Sequence, residues 1–211
     1  MADALAAFLD AASTALHVLE RPELAERWPH DSVLPQFPVA ALAGHLVRGM
    51  TTVEQYLDGP EPDEAGISAA RYFHTVIRSA DISDPAHQAI RDRGAEAAAA
   101  GPAALASAAR AARGRLSSRL AGVGAERRLR VAGGLVMTLD EYLRTRVVEL
   151  VIHADDLAVS LGVELAPPRP ATCTVAIDVL VGVARIRHGD LAVLRALARR
   201  ERDPVQALRV L

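Results

Sequence analysis

The sequence predicts an all-α protein: an up-and-down four-helix bundle, with a short hairpin before its last long helix and a helical extension after it. Three observations carry this reading. Apolar residues make up 51% of the 211, yet aromatics only 3%. Ala and Leu therefore stand where strand-rich cores lean on β-branched and aromatic side chains. Apolar positions recur at helical spacing, and Gly and Pro cut the chain into helix-length pieces.

In chain order, Leu5, Phe8, Leu9, Ala12, Leu16 and Leu19 share one face of a first helix from Asp3 to Glu20. Prolines and Trp28 make Arg21 to Pro38 read as an ordered connector without a helix. A second helix starts at Pro38, a favoured first-turn residue, and ends before Gly59, Pro60 and Pro62. A shorter one spans Ile67 to Ala80, and Asp84-Pro85 caps another running to Ala99. After Gly101-Pro102 comes an Ala- and Arg-rich helix from Ala103 to Ala121.

The only strand-like stretch, Arg127 to Val131 and Leu135 to Met137 around Gly133-Gly134, reads as a hairpin. Thr138 and Glu141 then form a capping-box pair before a long apolar helix that Gly162 closes. Pro167, Pro168 and Pro170 stiffen a connector to helices over Ala171 to His188 and Leu191 to Arg202. Residues 1–165 are thus expected to form the bundle, and 166–211 a helical extension packed on it.

The formal charge of −2, with acids and bases interspersed, argues against nucleic acid as a partner. All 24 basic residues are Arg, as a GC-rich genome would give. One cysteine, Cys173, excludes an internal disulfide and fits a reducing cytoplasm, the expected location. Its surroundings in sequence hold nothing to lower its pKa. Charges interrupt the longest apolar runs, so no membrane segment is expected.

The helix after Thr138 carries the chemistry. It is apolar around most of its circumference, yet Tyr142, Arg146, Glu149, His153 and Asp156 follow one another at spacings of four, three, four and three on one face. A buried carboxylate on such a helix costs several kcal/mol unless compensated. An internal salt-bridge network through Arg146 and a bound metal ion are the two answers available. Glu149 and His153, four apart, can reach one ion. On the second helix His45 lies among Leu42, Leu46 and Val53, with Arg48 and Thr52 further along the same side. His45, Glu149 and His153 make a His₂Glu set with an open position, the composition of a catalytic zinc-type site.

The segments EYLRTRVVELVIHADDLAVSLG, FPVAALAGHLVRG and RHGDLAVLRALARRERDP resemble the mycothiol-dependent maleylpyruvate isomerase-like proteins of the DinB-like superfamily. The resemblance implies a DinB-like bundle with a divalent metal on His45, Glu149 and His153. Zinc is the foremost candidate, and nickel, iron or manganese suit the same donors. It also implies mycothiol as co-substrate, its thiolate attacking a small electrophile in S-transfer or in cis–trans isomerisation. The family's isomerases carry an α/β domain after the bundle, whereas the residues beyond Ala166 here read as helical. A Trp frequent before the first ligand helix is replaced by Phe37.

Two auxiliary catalytic candidates flank the ligands. Arg146 either orients Glu149 or clamps an anionic group, against a structural ion pair. Asp156 either takes the second ring N–H of His153 or caps a neighbouring segment. Arg48 and Thr52 are candidates for the mouth of the site, where a cofactor would bind. Tyr142 reads as core with its hydroxyl at the rim. Arg195, Arg199 and Arg202 form a stripe on the last helix, read as a solvated face or an anion-binding edge. The partners expected are a low-molecular-weight thiol and a small electrophile, with a homodimer possible. Two further functions stay open: a thiol-independent Lewis-acid enzyme of secondary metabolism, and a non-catalytic metal-stabilised scaffold.

Overall fold

The computed structural model describes residues 3–77, 83–198, 201, 208 and 210. Among them, the helices are α1 (Ala4–Leu19), α2 (Glu23–Arg27), α3 (Val39–Leu57), α4 (Ala69–Val76), α5 (Pro85–Ala97), α6 (Pro102–Leu120), α7 (Leu139–Leu161), α8 (Pro170–His188) and α9 (Asp190–Ala198). Strands β1 (Arg128–Arg130) and β2 (Val136–Thr138) pair antiparallel, with Leu129 opposite Met137. The all-α bundle read from composition and spacing is the fold observed.

Four helices close a ring. α7 lies between α1 and α3, and α6 touches both from the other side. Their facing positions supply the core: Phe8, Ala11 and Ala15 from α1, Leu42, Leu46 and Met50 from α3, Leu116 from α6, and Val147, Leu150 and Leu157 from α7. The small side chains of Ala11 and Ala15 let α1 approach its neighbours closely. α8 lies against α1, α4 and α7, and α9 against α8.

The starts and stops follow the local chemistry. Asp84 Oδ1 accepts from Ala86 N at 2.8 Å, with Pro85 in the first turn. Gly162, at φ +71°, ends α7 in the left-handed conformation that only glycine adopts without strain. The hairpin turns through Gly133 and Gly134, at φ +72° and +73°.

Three elements differ from expectation. The connector after α1 contains the one-turn-and-a-half helix α2, which buries Leu24 while Arg21 pairs with Glu23 at its start. Its few residues were too short for periodicity to register. α4 begins two residues late, because Ile67 N donates to Val136 O at 2.8 Å and so belongs to the hairpin edge. The expected end of that helix at Ala80, and Arg199 and Arg202 of the last one, fall outside the described residues.

The third concerns the capping box. Thr138 Oγ1 does accept from Glu141 N at 3.3 Å. The Glu141 carboxylate, however, accepts from Ala69 N at 2.6 Å, meeting the free first N–H of α4. A capping motif read locally is thus a tie between two helices.

No helix among the described residues is long and apolar enough to cross a membrane.

Candidate metal centre

α3 and α7 run antiparallel, with His45 opposite Glu149 and Thr52 opposite Tyr142. Gly49 sets their approach: a Cβ there would lie 3.0 Å from Leu150 Cδ2. On its other side α3 meets α5 at a glycine pair, where a Cβ on Gly44 would lie 1.9 Å from Gly94 O. α3 is therefore held close from both sides at the level of His45.

The ligand-type atoms of His45, Glu149 and His153 all lie within 4.8 Å of one another. His45 Nε2 stands 2.9 Å and His153 Nε2 3.5 Å from Glu149 Oε2. The two imidazoles meet edge to face at 4.9 Å between centroids. Behind them, Asp156 Oδ2 is 3.0 Å from His153 Nδ1, and the Phe37 ring is 5.8 Å from His45. The His153 ring is thereby oriented, Nδ1 toward a carboxylate and Nε2 toward the cluster. These side chains keep 17 to 21% of their surface exposed, so the cluster is neither sealed nor open.

Residues 2–158 match the family model described as the mycothiol maleylpyruvate isomerase N-terminal domain. The chain belongs to this family. The match takes in α1 to α6 and nearly all of α7, with all three donor residues, and leaves α8 and α9 beyond it. No curated protein and no solved structure matches the chain.

The electrostatics of this family member's cluster are strongly coupled. Burial pulls the His45 pKa down, and the neighbouring Glu149 does not fully restore it. Burial acts against the Glu149 carboxylate, yet hydrogen bonds from His153 and His45 and the Arg146 charge hold it well below the usual range. Burial would likewise lower His153, but Asp156 and Glu149 on its two sides raise it to about 9. Two basic nitrogens around one ionised oxygen form a donor set suited to a small divalent cation.

Arg146 does not supply the salt bridge that was one of the two expected answers. Glu149's ion pairs run to His45 and His153, while Arg146 Nε donates to Thr145 Oγ1 at 3.1 Å. Thr52 is buried: its hydroxyl donates to Arg48 O at 2.7 Å and accepts from Tyr142 OH at 2.9 Å. Thr52 and Tyr142 thus tie α3 to α7 about two turns away from the cluster, so Thr52 does not line an open mouth, and Tyr142 is core. Arg48 is half-buried on α3, one turn from His45. Asp155 is exposed.

Gly94, Tyr56 and Tyr72 carry no site signal by spacing in the sequence, and Phe37 stands out there only as the residue in place of a Trp. Tyr56 meets Tyr142 edge to face at 5.4 Å, and Tyr72 lies buried beside Arg146. The only available signal was that the chain spends just three tyrosines, and all converge here.

Proposed function

We propose that this protein is a metal-dependent enzyme that uses a low-molecular-weight thiol, mycothiol by family, in S-transfer to a small electrophile or in its isomerisation. The observation that carries the reading is the His45–Glu149–His153 cluster, with Asp156 behind His153. Those three residues would hold the ion, zinc foremost. A divalent ion bound there supplies Lewis acidity that lowers the pKa of a coordinating thiol and makes it a nucleophile at neutral pH.

The chain's own groups do the rest. Asp156, accepting from His153 Nδ1, would leave the Nε2 lone pair free to hold an ion. Glu149 would contribute the single negative charge among the donors, so that an ion held there would stay a good Lewis acid. Three protein donors leave a position for the thiol. The bulk of α7 around the stripe is apolar and buried, which excludes water from the side of the centre facing the core.

The test joins elemental analysis to a thiol-consumption assay with mycothiol and a panel of activated electrophiles. Stoichiometric metal and metal-dependent thiol loss are expected. Turnover abolished by chelation but indifferent to thiol would select the Lewis-acid alternative, and metal without any turnover would select the scaffold.

A further inference from the structure

The loop between α2 and α3 holds Gln36, the one non-glycine among the described residues with a left-handed backbone, at φ +59°. It stands third in a tight turn that Phe37 N closes onto Leu34 O at 3.2 Å. With Pro35 in second place this is the type II arrangement, whose third position normally goes to Gly or Asn because a larger side chain is strained there. Gln36 is exposed, so no burial of its own side chain offsets that strain. Such a conformation persists only where the surroundings over-determine it.

The surroundings do so here. Around the turn the chain doubles back, Val39 N donating to His30 O at 2.9 Å and Ser32 N to Phe37 O at 3.3 Å. The loop is also clipped to α7: Val33 N donates to Ser160 Oγ at 3.0 Å, and that hydroxyl donates to Asp156 O at 2.6 Å. What the turn delivers is Phe37, buried, its ring 5.8 Å from the His45 ring and tilted 56° to it. The two imidazoles of the cluster are thus held by different means. His153 has the Asp156 carboxylate behind its Nδ1. Among the described residues the His45 ring makes one hydrogen bond, from Nε2 to Glu149, and has an aromatic ring beside it.

We propose that Phe37, seated by the left-handed turn at Gln36, is the positioning residue of His45. It fixes the imidazole so that Nε2 meets the Glu149 carboxylate, the role Asp156 fills for His153 by hydrogen bonding. Paired rings prefer particular relative tilts, so a fixed Phe37 selects one orientation of the imidazole. The consequence for a bound ion rests on the metal-site reading above; the orientation of His45 does not.

Two readouts test this. In metal-free protein the His45 Nε2–H, donated to the ionised Glu149, should exchange with water at least tenfold faster in Phe37→Leu than in wild type, as read by proton NMR. Cobalt(II), whose visible bands report ligand geometry, is the metal probe. Phe37→Leu should weaken cobalt binding at least tenfold and alter the bands, while Phe37→Tyr, which keeps the ring, should restore both. Gln36→Val should reproduce the loss from an exposed position, because a β-branched residue is excluded from the left-handed conformation, and Gln36→Gly should behave as wild type. Leu116→Ala, a truncation in the α6 part of the core, should lower Tm and move neither readout. Wild-type exchange and spectrum in either Phe37→Leu or Gln36→Val overturn the proposal, the second deciding alone where the first does not fold. An equal loss in Leu116→Ala overturns it as well. If wild type takes up no cobalt, the metal reading falls, and the N–H exchange alone decides on Phe37.

Discussion

His153 stands between two carboxylates, and that position makes the centre pH-sensitive in a direction that can be worked out. In metal-free protein its pKa is raised from the usual 6.5 to about 9. The charged ring therefore stabilises the fold, fully below pH 6.5, and that contribution fades as pH rises and is gone above about 9. It amounts to at most about 3 kcal/mol. Urea unfolding of chelator-treated protein should accordingly show lower stability at pH 9 than at pH 6, and Asp156→Asn should flatten the difference. Metal uptake has the opposite dependence, since loading must displace that proton; affinity should climb across the same window. With the partner of Nδ1 neutralised, Asp156→Asn should also lose about 10- to 100-fold in zinc affinity, read by competition with a chromophoric chelator. At this scale the clustering of Glu149 and His153 was readable because they share one helix face. The Tyr56–Tyr72–Arg146 convergence was not, because its members sit on three helices and no spacing rule connects them.

Among the elements, α3 carries the tightest constraint. A Cβ on Gly94 would lie 2.3 Å from Ala41 O and 3.3 Å from His45 N, backbone atoms that cannot turn aside. Gly94→Ala should therefore push α5 away from α3 and cost about 1 to 3 kcal/mol, against the small gain that Ala normally brings to a helix interior. A shifted midpoint in urea at unchanged slope would show it; a stabilised Gly94→Ala would mean that α5 is not seated as described. Because the same contact abuts His45, the variant should also bind zinc more weakly. Helix boundaries were well marked in the sequence, since caps such as Asp84, Thr138 and Gly162 act locally. Helix partners were not. Gly44 and Gly94 look like ordinary helix-weakening glycines until the crossing is seen, and Glu141 reads as its own helix's cap while it serves α4.

For the whole molecule, an ion held at the proposed centre would clasp two halves of the ring together. His45 comes from α3 and the other two donors from α7, with the hairpin and three helices intervening in the chain. An ion that binds all three must therefore favour the closed bundle over the unfolded chain, where the donors are far apart. At zinc a hundredfold above its Kd the linkage gives about 2.7 kcal/mol. For a chain of this length each kcal/mol moves Tm by about 2 to 4 °C, so loading should raise Tm by about 5 to 11 °C. His45→Ala should abolish the shift even though His45 is the donor least entangled with charge, because the clasp needs α3. Arg146→Gln should leave the shift in place, since Arg146 donates to Thr145 and is not among the three residues that could hold the ion. A His45→Ala protein that still gains the full shift would mean that α7 alone holds the ion, and that α3 contributes packing without coordination.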